Sequence, residues 1–230
     1  MLLAFDTATT TASLAVYDLS AGHLLAETTW QARRRQTQDL LPATQSLLAL
    51  AAVAPAALTA LAVTTGPGSF TGVRIAISTV KGIGLGLPHP PRVIGIPTLS
   101  VAAAPWLDSA RRCCPPVRVC ACIQAGRGRY NWAWFDGDLL ARPTVHEHQA
   151  GSSAELGEAL ALAAPHSIWL TGEVATDLAN IAGALPHVTV LDPVSSLRRA
   201  GQLARLAALH FAAGTADTLD ALQPLYLRNP

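Results

Sequence analysis

The sequence has few charged residues and almost no lysine. Asp, Glu, Lys and Arg make up 13% of its 230 residues, about half of the roughly 25% found in an average soluble domain. The formal net charge is +1, and Lys81 is the one lysine among 16 basic residues. This composition excludes a disordered chain, which needs high charge and little apolar surface. It also argues against autonomous binding to nucleic acid, which needs a strong positive field.

Long hydrophobic runs are also missing. No apolar run reaches the roughly 18 residues that a membrane span needs. Residues 1–11 have no basic segment and carry Asp6 inside their apolar stretch, so we predict a strand there and not a signal peptide. We therefore expect a cytoplasmic protein that has no contact with a membrane.

Cysteine is scarce, with four residues. Cys113 and Cys114 are adjacent, whereas Cys120 and Cys122 are separated by one residue. Neither pair has the two to four intervening residues of common zinc sites, so no metal site is expected. On a strand, Cys120 and Cys122 would point to the same face, which suits packing in an apolar interior.

The predicted elements occur twice in the same order. Three short strands, a helix, a strand, a helix and a strand fill residues 1–100, and the same order follows in the second half. Short connections favour antiparallel pairing of the first three strands, and helical crossovers favour parallel pairing of the others. The pattern predicts an α/β fold made of two lobes with mixed sheets.

Three local predictions concern boundaries. The first helix is predicted from about Thr37 to Ala52. Asp39 as its N-cap would place Pro42 within the first turn, where proline is tolerated, whereas a start at Thr37 would force a kink. Leu139–His146 is expected to form a strand. Ser195 or Ser196 is expected to cap the last long helix.

A turn with an acid and hydroxyls follows the first predicted strand. Residues 6–11 read Asp-Thr-Ala-Thr-Thr-Thr. Such a turn can hold a phosphate or its magnesium ion. The alternative is a structural turn in which the hydroxyls satisfy backbone amides.

A glycine-rich loop lies between a predicted strand and a predicted helix. Residues 66–72 read Gly-Pro-Gly-Ser-Phe-Thr-Gly, and a helix N-terminus at this place can bind an anion. The glycine spacing does not match the dinucleotide fingerprint, and the lysine of a P-loop is missing. The alternative is a loop that only allows close backbone packing. The candidate nucleotide or phosphate turn comprises Asp6, Thr7, Thr9, Thr10, Gly66, Gly68 and Ser69.

The helix that follows this loop, from about Val73 to Leu87, contains three alternating glycines. Gly82, Gly84 and Gly86 each cost about 1 kcal/mol relative to alanine and do not all lie on one face. Small residues allow another element to approach the helix backbone closely. That element could be a helix of a partner or the chain's own sheet.

Three segments resemble the TsaB (YeaZ) family. They are residues 3–9 (LAFDTAT), 65–75 (TGPGSFTGVRI) and 224–228 (PLYLR). The resemblance implies the actin-like ATPase (ASKHA) architecture, with two RNase H-like lobes that each contain a mixed five-stranded sheet. It implies an N-terminal lobe of residues 1–100 that is completed by residues 214–230, and a C-terminal lobe of residues 101–213.

The resemblance also implies a function. The family belongs to the bacterial machinery that makes N6-threonylcarbamoyladenosine at position 37 of ANN-decoding tRNAs. Its members are similar to the catalytic subunit TsaD but act as non-catalytic partners, which pair with TsaD or with themselves. TsaE binds at that pair, TsaC supplies threonylcarbamoyl-adenylate, and tRNA is contacted only through the complex.

The expected partner surface lies on the first two helices of the N-terminal lobe, and no catalytic residue is expected. No cofactor is expected, although ATP or ADP could be held at a shared interface. The interface residues would be Leu40, Leu41, Thr44, Leu48, Val73, Arg74, Ile77, Ser78 and Lys81.

The sequence departs from its relatives at two places. Residues 36–38 are Gln-Thr-Gln where relatives often have His-Ser-Glu, which argues against a metal site there. Residues 124–129 are Gln-Ala-Gly-Arg-Gly-Arg where family members often have Asp-Ala-Arg-Arg-Gly-Glu. An ATP-dependent phosphotransferase of the same superfold is the alternative function, because the turn at Asp6 occupies the usual place for phosphate contact.

Overall fold

The computed structural model describes residues 1–33, 35–126 and 128–227. The chain forms two compact units. The first combines Met1–Thr98 with Arg198–Leu225, and the second contains Leu99–Leu197, Tyr226 and Leu227. None of the helices in the described ranges has the length and apolar character that crossing a membrane requires.

The first unit is built on a five-stranded mixed sheet with the strand order β3-β2-β1-β4-β5. Its strands β1 to β3 pair antiparallel, whereas β4 is parallel to both β1 and β5. The central strands β1 and β4 are buried along their whole length, as expected for strands covered on both faces. The elements are β1 (Leu2–Asp6), β2 (Thr11–Asp18), β3 (His23–Gln31), α1 (Gln36–Leu50), β4 (Ala60–Thr64), α2 (Phe70–Gly86) and β5 (Arg92–Ile96).

Helix α1 begins at Gln36, next to the predicted start at Thr37, but its N-cap differs from the expected Asp39. Arg35 and not Asp39 occupies the N-cap position, and it makes no side-chain cap hydrogen bond. Asp39 lies in the first turn and pairs with Arg35 at 3.3 Å, where a carboxylate interacts favourably with the helix dipole. Pro42 consequently lies inside the helix, on its exposed side.

The second unit repeats the topology of the first. Its strand order is β10-β9-β6-β7-β8, with β6 antiparallel to β7 and parallel to β9. Counted from the β8 edge, the order β8-β7-β6-β9-β10 corresponds strand by strand to β3-β2-β1-β4-β5 of the first sheet. The predicted duplication into two α/β lobes is therefore confirmed. The elements are α3 (Thr98–Arg112), β6 (Arg118–Gln124), β7 (Arg129–Phe135), β8 (Gln149–Ser152), α4 (Ser153–Leu162), β9 (Ile168–Gly172), α5 (Thr176–Gly183) and β10 (Val188–Val190).

The four cysteines have two different environments. Cys120 and Cys122 are fully buried in one apolar cluster of the second unit, which confirms that they share a packed face. Cys113 is half-buried and Cys114 is exposed, because both follow the end of α3.

The predicted strand at Leu139–His146 is wrong. The segment is irregular and ends in a 3-10 turn. Asp138 Oδ1 accepts a hydrogen bond from the backbone N–H of Leu140 at 2.8 Å, and Thr144 forms a capping box with Glu147. These side chains give the backbone local partners that compete with pairing in a sheet.

The last helix, α6 (Ala200–Ala212), belongs to the first unit, where it packs on β1 and β2. The sequence-based boundary placed it in the second lobe, because the run of elements gives no sign of which sheet the helix covers. Its start also differs from the prediction. Neither Ser195 nor Ser196 caps it, since Ser195 instead donates its N–H to Asp192 in the preceding turn.

Residues Thr215–Leu225, which we call the C-terminal strap, cross the outer edge of the first sheet. Asp217 donates its N–H to the carbonyl of Val93 at 2.7 Å and accepts a hydrogen bond from Gly95 N at 2.8 Å. Leu222 is buried in the core of the first unit. The strap thus covers the free edge of β5, which would otherwise expose unpaired backbone groups.

Candidate functional site

The two turns singled out in the sequence pack directly against each other in the first unit. Ser69 donates its backbone N–H to the carbonyl of Ala8 at 2.6 Å. A Cβ on Gly68 would lie 2.2 Å from Ala8 O, and one on Gly72 would lie 2.1 Å from Thr7 O. Because these glycines allow two backbones to touch, the loop has the packing role that the sequence left open.

Asp6 lies at the bottom of the first turn and is buried. Its carboxylate pairs with the guanidinium of Arg198, which is also buried. The same carboxylate accepts hydrogen bonds from Ala8 N at 3.0 Å and from Thr64 Oγ1 at 3.1 Å. The group that would take a magnesium ion is therefore occupied by a cation of the chain itself.

The other residues of the candidate phosphate turn divide into two sets. Thr7 donates its hydroxyl to the carbonyl of Gly72 at 2.7 Å, and Gly66, with a positive φ of 106°, lies under the strap residue Leu225. These contacts are internal to the fold. The residues that line a cavity are Thr9, Thr10 and Ser69.

This cavity, which we call the α1–α2 cavity, has a volume of about 550 Å³ and lies between the N-terminal ends of the two helices. Gln36 and Thr37 from α1 contribute to it, together with Thr71 and Ile75 from α2. The sequence patterns did not indicate that these four residues line one cavity. Polar residues at the starts of two helices could have pointed to three of them, Gln36, Thr37 and Thr71.

The expected partner surface is only partly at the surface. Five of its nine residues pack inside the core of the first unit, so they cannot contact a partner directly. They are Leu40, Thr44, Leu48, Val73 and Ile77. Leu41, Arg74 and Ser78 are exposed, and Lys81 is half-buried and donates to the carbonyl of Asp220.

The exposed side of α2 instead carries a continuous row of residues, spaced three or four apart, that we call the α2 strip. Phe70 is 52% exposed and Leu85 is 80% exposed. Arg74 stacks its guanidinium over the ring of Phe70 at 3.6 Å from the ring centroid. The strip comprises Phe70, Arg74, Ser78, Gly82 and Leu85.

The three alternating glycines in the last two turns of α2 have different surroundings. A Cβ on Gly84 would lie 2.8 Å from Leu219 of the C-terminal strap, so this glycine accommodates the chain's own backbone segment. A Cβ added at Gly82 or Gly86 would have no atom within 4 Å. These two glycines are exposed and leave open space along the α2 strip.

In the second unit, polar side chains meet where β7, α4 and α5 come together. Tyr130 donates its hydroxyl to Asp177 Oδ1 at 3.0 Å, and desolvation together with this carboxylate raises the pKa of Tyr130 to about 12. The N–H of Leu178 and the hydroxyls of Ser153 and Tyr130 lower the pKa of Asp177. Tyr130 therefore stays protonated and holds α5 in place.

The divergent segment 124–129 lies beside this cluster. Gln124 donates its N–H to Glu173 Oε2 at 3.0 Å, and Ala125 and Arg129 are joined by a backbone hydrogen bond of 2.7 Å. Arg127 lies outside the described residues. The described part of the segment forms a turn between β6 and β7.

The chain is similar in sequence to proteins of threonylcarbamoyladenosine biosynthesis. The family model for TsaD, tRNA N6-adenosine threonylcarbamoyltransferase, matches residues 28–139. The tRNA threonylcarbamoyladenosine biosynthesis protein TsaB of Escherichia coli is 30% identical over 99% of this chain and 94% of its own length.

Two solved structures from Pseudomonas aeruginosa are similar over almost the whole chain. YeaZ has a TM-score of 0.70 and 26% identity, covering 98% of this chain and 99% of its own. A protein described as similar to peptidase YEAZ has a TM-score of 0.70 and 28% identity, covering 99% of both chains. With the sequence match across its full length and the duplicated fold, the chain belongs to the TsaB (YeaZ) family.

Proposed function

We propose that this chain takes part in the formation of N6-threonylcarbamoyladenosine at position 37 of ANN-decoding tRNAs as a non-catalytic scaffold subunit. In this role it pairs with a TsaD homologue and recruits a TsaE homologue, and it contacts tRNA only through the complex. Its full-length match to a protein named for threonylcarbamoyladenosine biosynthesis carries the proposal.

The α2 strip supports a docking role. It combines two large exposed apolar residues, Phe70 and Leu85, with the small residues Ser78 and Gly82 between them. Small residues let the backbone of another helix come close, since the distance between helix axes depends on the side chains at the contact. Phe70 and Leu85 lie near opposite ends of α2, about 22 Å apart along the axis at 1.5 Å per residue, so they can anchor the two ends of a docked helix.

Helix α1 extends the same exposed apolar character. Leu41 is 53% exposed and Leu50 is 78% exposed, and α1 contacts α2. The proposed interface therefore keeps Leu41, Arg74 and Ser78 from the sequence-based set. In place of its buried members we propose the exposed neighbours Phe70, Gly82 and Leu85.

The surroundings of Asp6 favour this role over an ATP-dependent phosphotransferase. That reaction would need a free carboxylate at the turn to hold a metal–phosphate complex. In this chain the Asp6 carboxylate already has Arg198, Thr64 and the N–H of Ala8 as partners. The alternative enzyme function has no comparable supporting contact.

Light scattering on size-exclusion fractions tests the pairing, with the chain alone and mixed with the TsaD homologue of the same organism. Gly82→Arg places a long charged side chain on the α2 strip between Ser78 and Leu85, where the open space lets the variant fold. Gly183→Arg on α5 is the matched control, because Gly183 is also exposed and a Cβ added there would also have nothing within 4 Å.

We expect the wild-type chain and Gly183→Arg to elute with the TsaD homologue at the summed mass, and Gly82→Arg to elute separately, since an unpaired charge in a dry interface is costly. Equal complex formation by both variants would show that the α2 strip is not the contact. A wild-type chain that forms no complex, with or without nucleotide and the TsaE homologue, would overturn the scaffold function. The threonylcarbamoyladenosine content of tRNA in a reconstituted reaction should follow complex formation.

A further inference from the structure

The bend that follows β7 contains a pair of residues whose backbone can rearrange chemically. Asp136 is the one aspartate in the sequence that is followed by glycine, and no asparagine is followed by glycine. In such a pair the backbone nitrogen of the glycine can attack the side-chain carboxyl carbon, because glycine has no Cβ to hinder the approach. Both residues lie beyond Phe135, where β7 ends. The regular pairing of the second sheet therefore stops before them.

Asp136 and Gly137 have the exposure and the freedom that this reaction needs. The side chain of Asp136 is 70% exposed, so water can reach a ring that forms there. Gly137 has a positive φ of 91°, which glycine adopts without strain. Its N–H has no hydrogen-bond acceptor among the described residues. The fold therefore does not engage the nitrogen that would attack.

Two arginines restrain this bend. Arg118, at the start of β6, donates from Nε to Asp136 Oδ1 at 2.7 Å and from Nη2 to Oδ2 at 3.5 Å. Its guanidinium lies 5.0 Å from the ring centroid of Trp134, so the Asp136 carboxylate is turned toward β6. The stem of Arg111 covers Gly137, since a Cβ added to this glycine would lie 2.9 Å from Arg111 Cβ. The reaction requires the carboxyl carbon to leave Arg118 and swing toward the glycine nitrogen.

We propose that Asp136 and Gly137 form a site of succinimide and isoaspartate formation, and that Arg118 slows the reaction. The Gly137 nitrogen bonds to the side-chain carboxyl carbon of Asp136, and the nitrogen's proton leaves with the carboxyl hydroxyl as water. A second water opens the ring. When it attacks the main-chain carbonyl carbon, the chain continues through the side chain of Asp136, and a free α-carboxylate is left. This α-carboxylate is the substrate class of methyltransferases that take the methyl group of a sulfonium donor.

The product would change the path of the chain after β7. An isoaspartyl link adds one methylene group to the backbone and replaces the carboxylate that Arg118 holds. Asp138 follows immediately, and its Oδ1 accepts a hydrogen bond from Leu140 N at 2.8 Å. The start of the irregular segment beyond β7 would therefore shift. The site belongs to the second unit, and the inference does not depend on the proposed pairing through the α2 strip.

Incubation of the full chain in neutral buffer at physiological temperature for several weeks tests the site. Isoaspartate is measured as methyl transfer from labelled S-adenosylmethionine by a purified protein isoaspartyl methyltransferase. Digestion with an endoprotease that cuts before aspartate, but not before isoaspartate, locates it. Asp108 is the internal reference, because it lies inside α3 and is followed by serine. A chain kept in denaturant shows the rate without the fold.

Three variants separate the site from its restraint. Asp136→Glu keeps the charge but removes the site, because the longer side chain closes its larger ring far more slowly. Arg118→Ala releases the carboxylate. Arg112→Ala is the matched control, since it removes an exposed arginine next to Arg111. Thermal unfolding verifies that each variant is folded.

We expect label to accumulate faster at Asp136 than at Asp108, and to be lost in Asp136→Glu. Arg118→Ala should raise the rate about two- to fivefold, the factor expected for loss of a partly exposed ion pair, and Arg112→Ala should match the wild-type chain. High ionic strength should also raise the wild-type rate, because salt screens the pair without a substitution.

Label at Asp136 in the denatured chain but not in the folded chain would overturn the site, as would label that survives in Asp136→Glu. Equal rates in Arg118→Ala and Arg112→Ala would overturn the restraint by Arg118. If Arg118→Ala does not fold, a wild-type rate that is independent of ionic strength would overturn the restraint instead.

Discussion

Arg198 and Asp6, which are 192 positions apart in the chain, form an ion pair that is almost entirely buried in the first unit. The pair joins the segment just before α6 to the end of β1. Arg198 also reaches Thr9 Oγ1, so one guanidinium holds both the carboxylate and the turn that follows it. A buried charge without its partner is strongly unfavourable, and the shape of the turn therefore depends on Arg198.

Replacing Arg198 with alanine should reduce the free energy of unfolding by about 3–5 kcal/mol, because Asp6 would remain buried without a counter-charge. Urea unfolding measures this loss. Arg35→Ala is the control, because Arg35 forms an exposed ion pair with Asp39 and should change stability by less than about 1 kcal/mol. Similar effects of the two substitutions would contradict a stabilising role for the buried pair.

Alanine substitutions at two glycines of α2 should have opposite effects. Gly72→Ala should destabilise the chain by about 1–3 kcal/mol, because its Cβ would collide with the carbonyl of Thr7. Gly82→Ala should stabilise it by about 0.5–1 kcal/mol, since the site is open and alanine favours a helix. The midpoints of urea unfolding measure both changes in stability. A Gly72→Ala variant more stable than the wild-type chain would refute the close contact between the two turns.

Stability should fall as the pH decreases below the ordinary histidine pKa of 6.5. Burial lowers the pKa of His148 in the folded chain, so the unfolded state takes up a proton first and is favoured as pH falls through 6.5. In His148→Gln this part of the pH dependence should disappear. The same substitution at the exposed His146 should leave the pH dependence of stability unchanged. Unfolding curves of the two variants at several pH values would show whether their pH dependence differs.

The thiols should differ in reactivity toward an alkylating agent. Cys114 is exposed and Cys113 half-buried, whereas Cys120 and Cys122 are fully buried and burial raises the pKa of both. Mass spectrometry should find label on the first pair in the folded chain and on all four cysteines in denaturant, since the thiolate is the reactive form. Early labelling of Cys120 would contradict the packing of the second sheet.

Local patterns predicted the strands and the duplicated order of elements well, because period-two alternation and turn residues act over a few positions. The prediction of a strand at Leu139–His146 failed because the side chains of Asp138 and Thr144 form hydrogen bonds with nearby backbone groups. The assignment of α6 failed because the sheet that a helix covers is decided by contacts far along the chain.

The candidate site shows the same limit. Both turns were visible in the sequence, but the partner of Asp6 was not, since a pairing across 192 positions leaves no local signal. On α2, apolar residues occur on every side, so spacing alone did not separate the inward Val73 and Ile77 from the outward Phe70 and Leu85. Burial in three dimensions was needed to tell a core residue from a contact residue.

The C-terminal strap and α6 have a consequence for the order of assembly during synthesis. The first unit contains both the earliest residues, Met1–Thr98, and the late residues Arg198–Leu225. A chain still emerging from the ribosome therefore exposes the β5 edge and lacks the Arg198 partner of Asp6 until residues Arg198–Leu225 have been translated. The last strand of the second unit's sheet ends at Val190, before α6 begins. The second sheet can therefore form before α6 covers the sheet of the first unit.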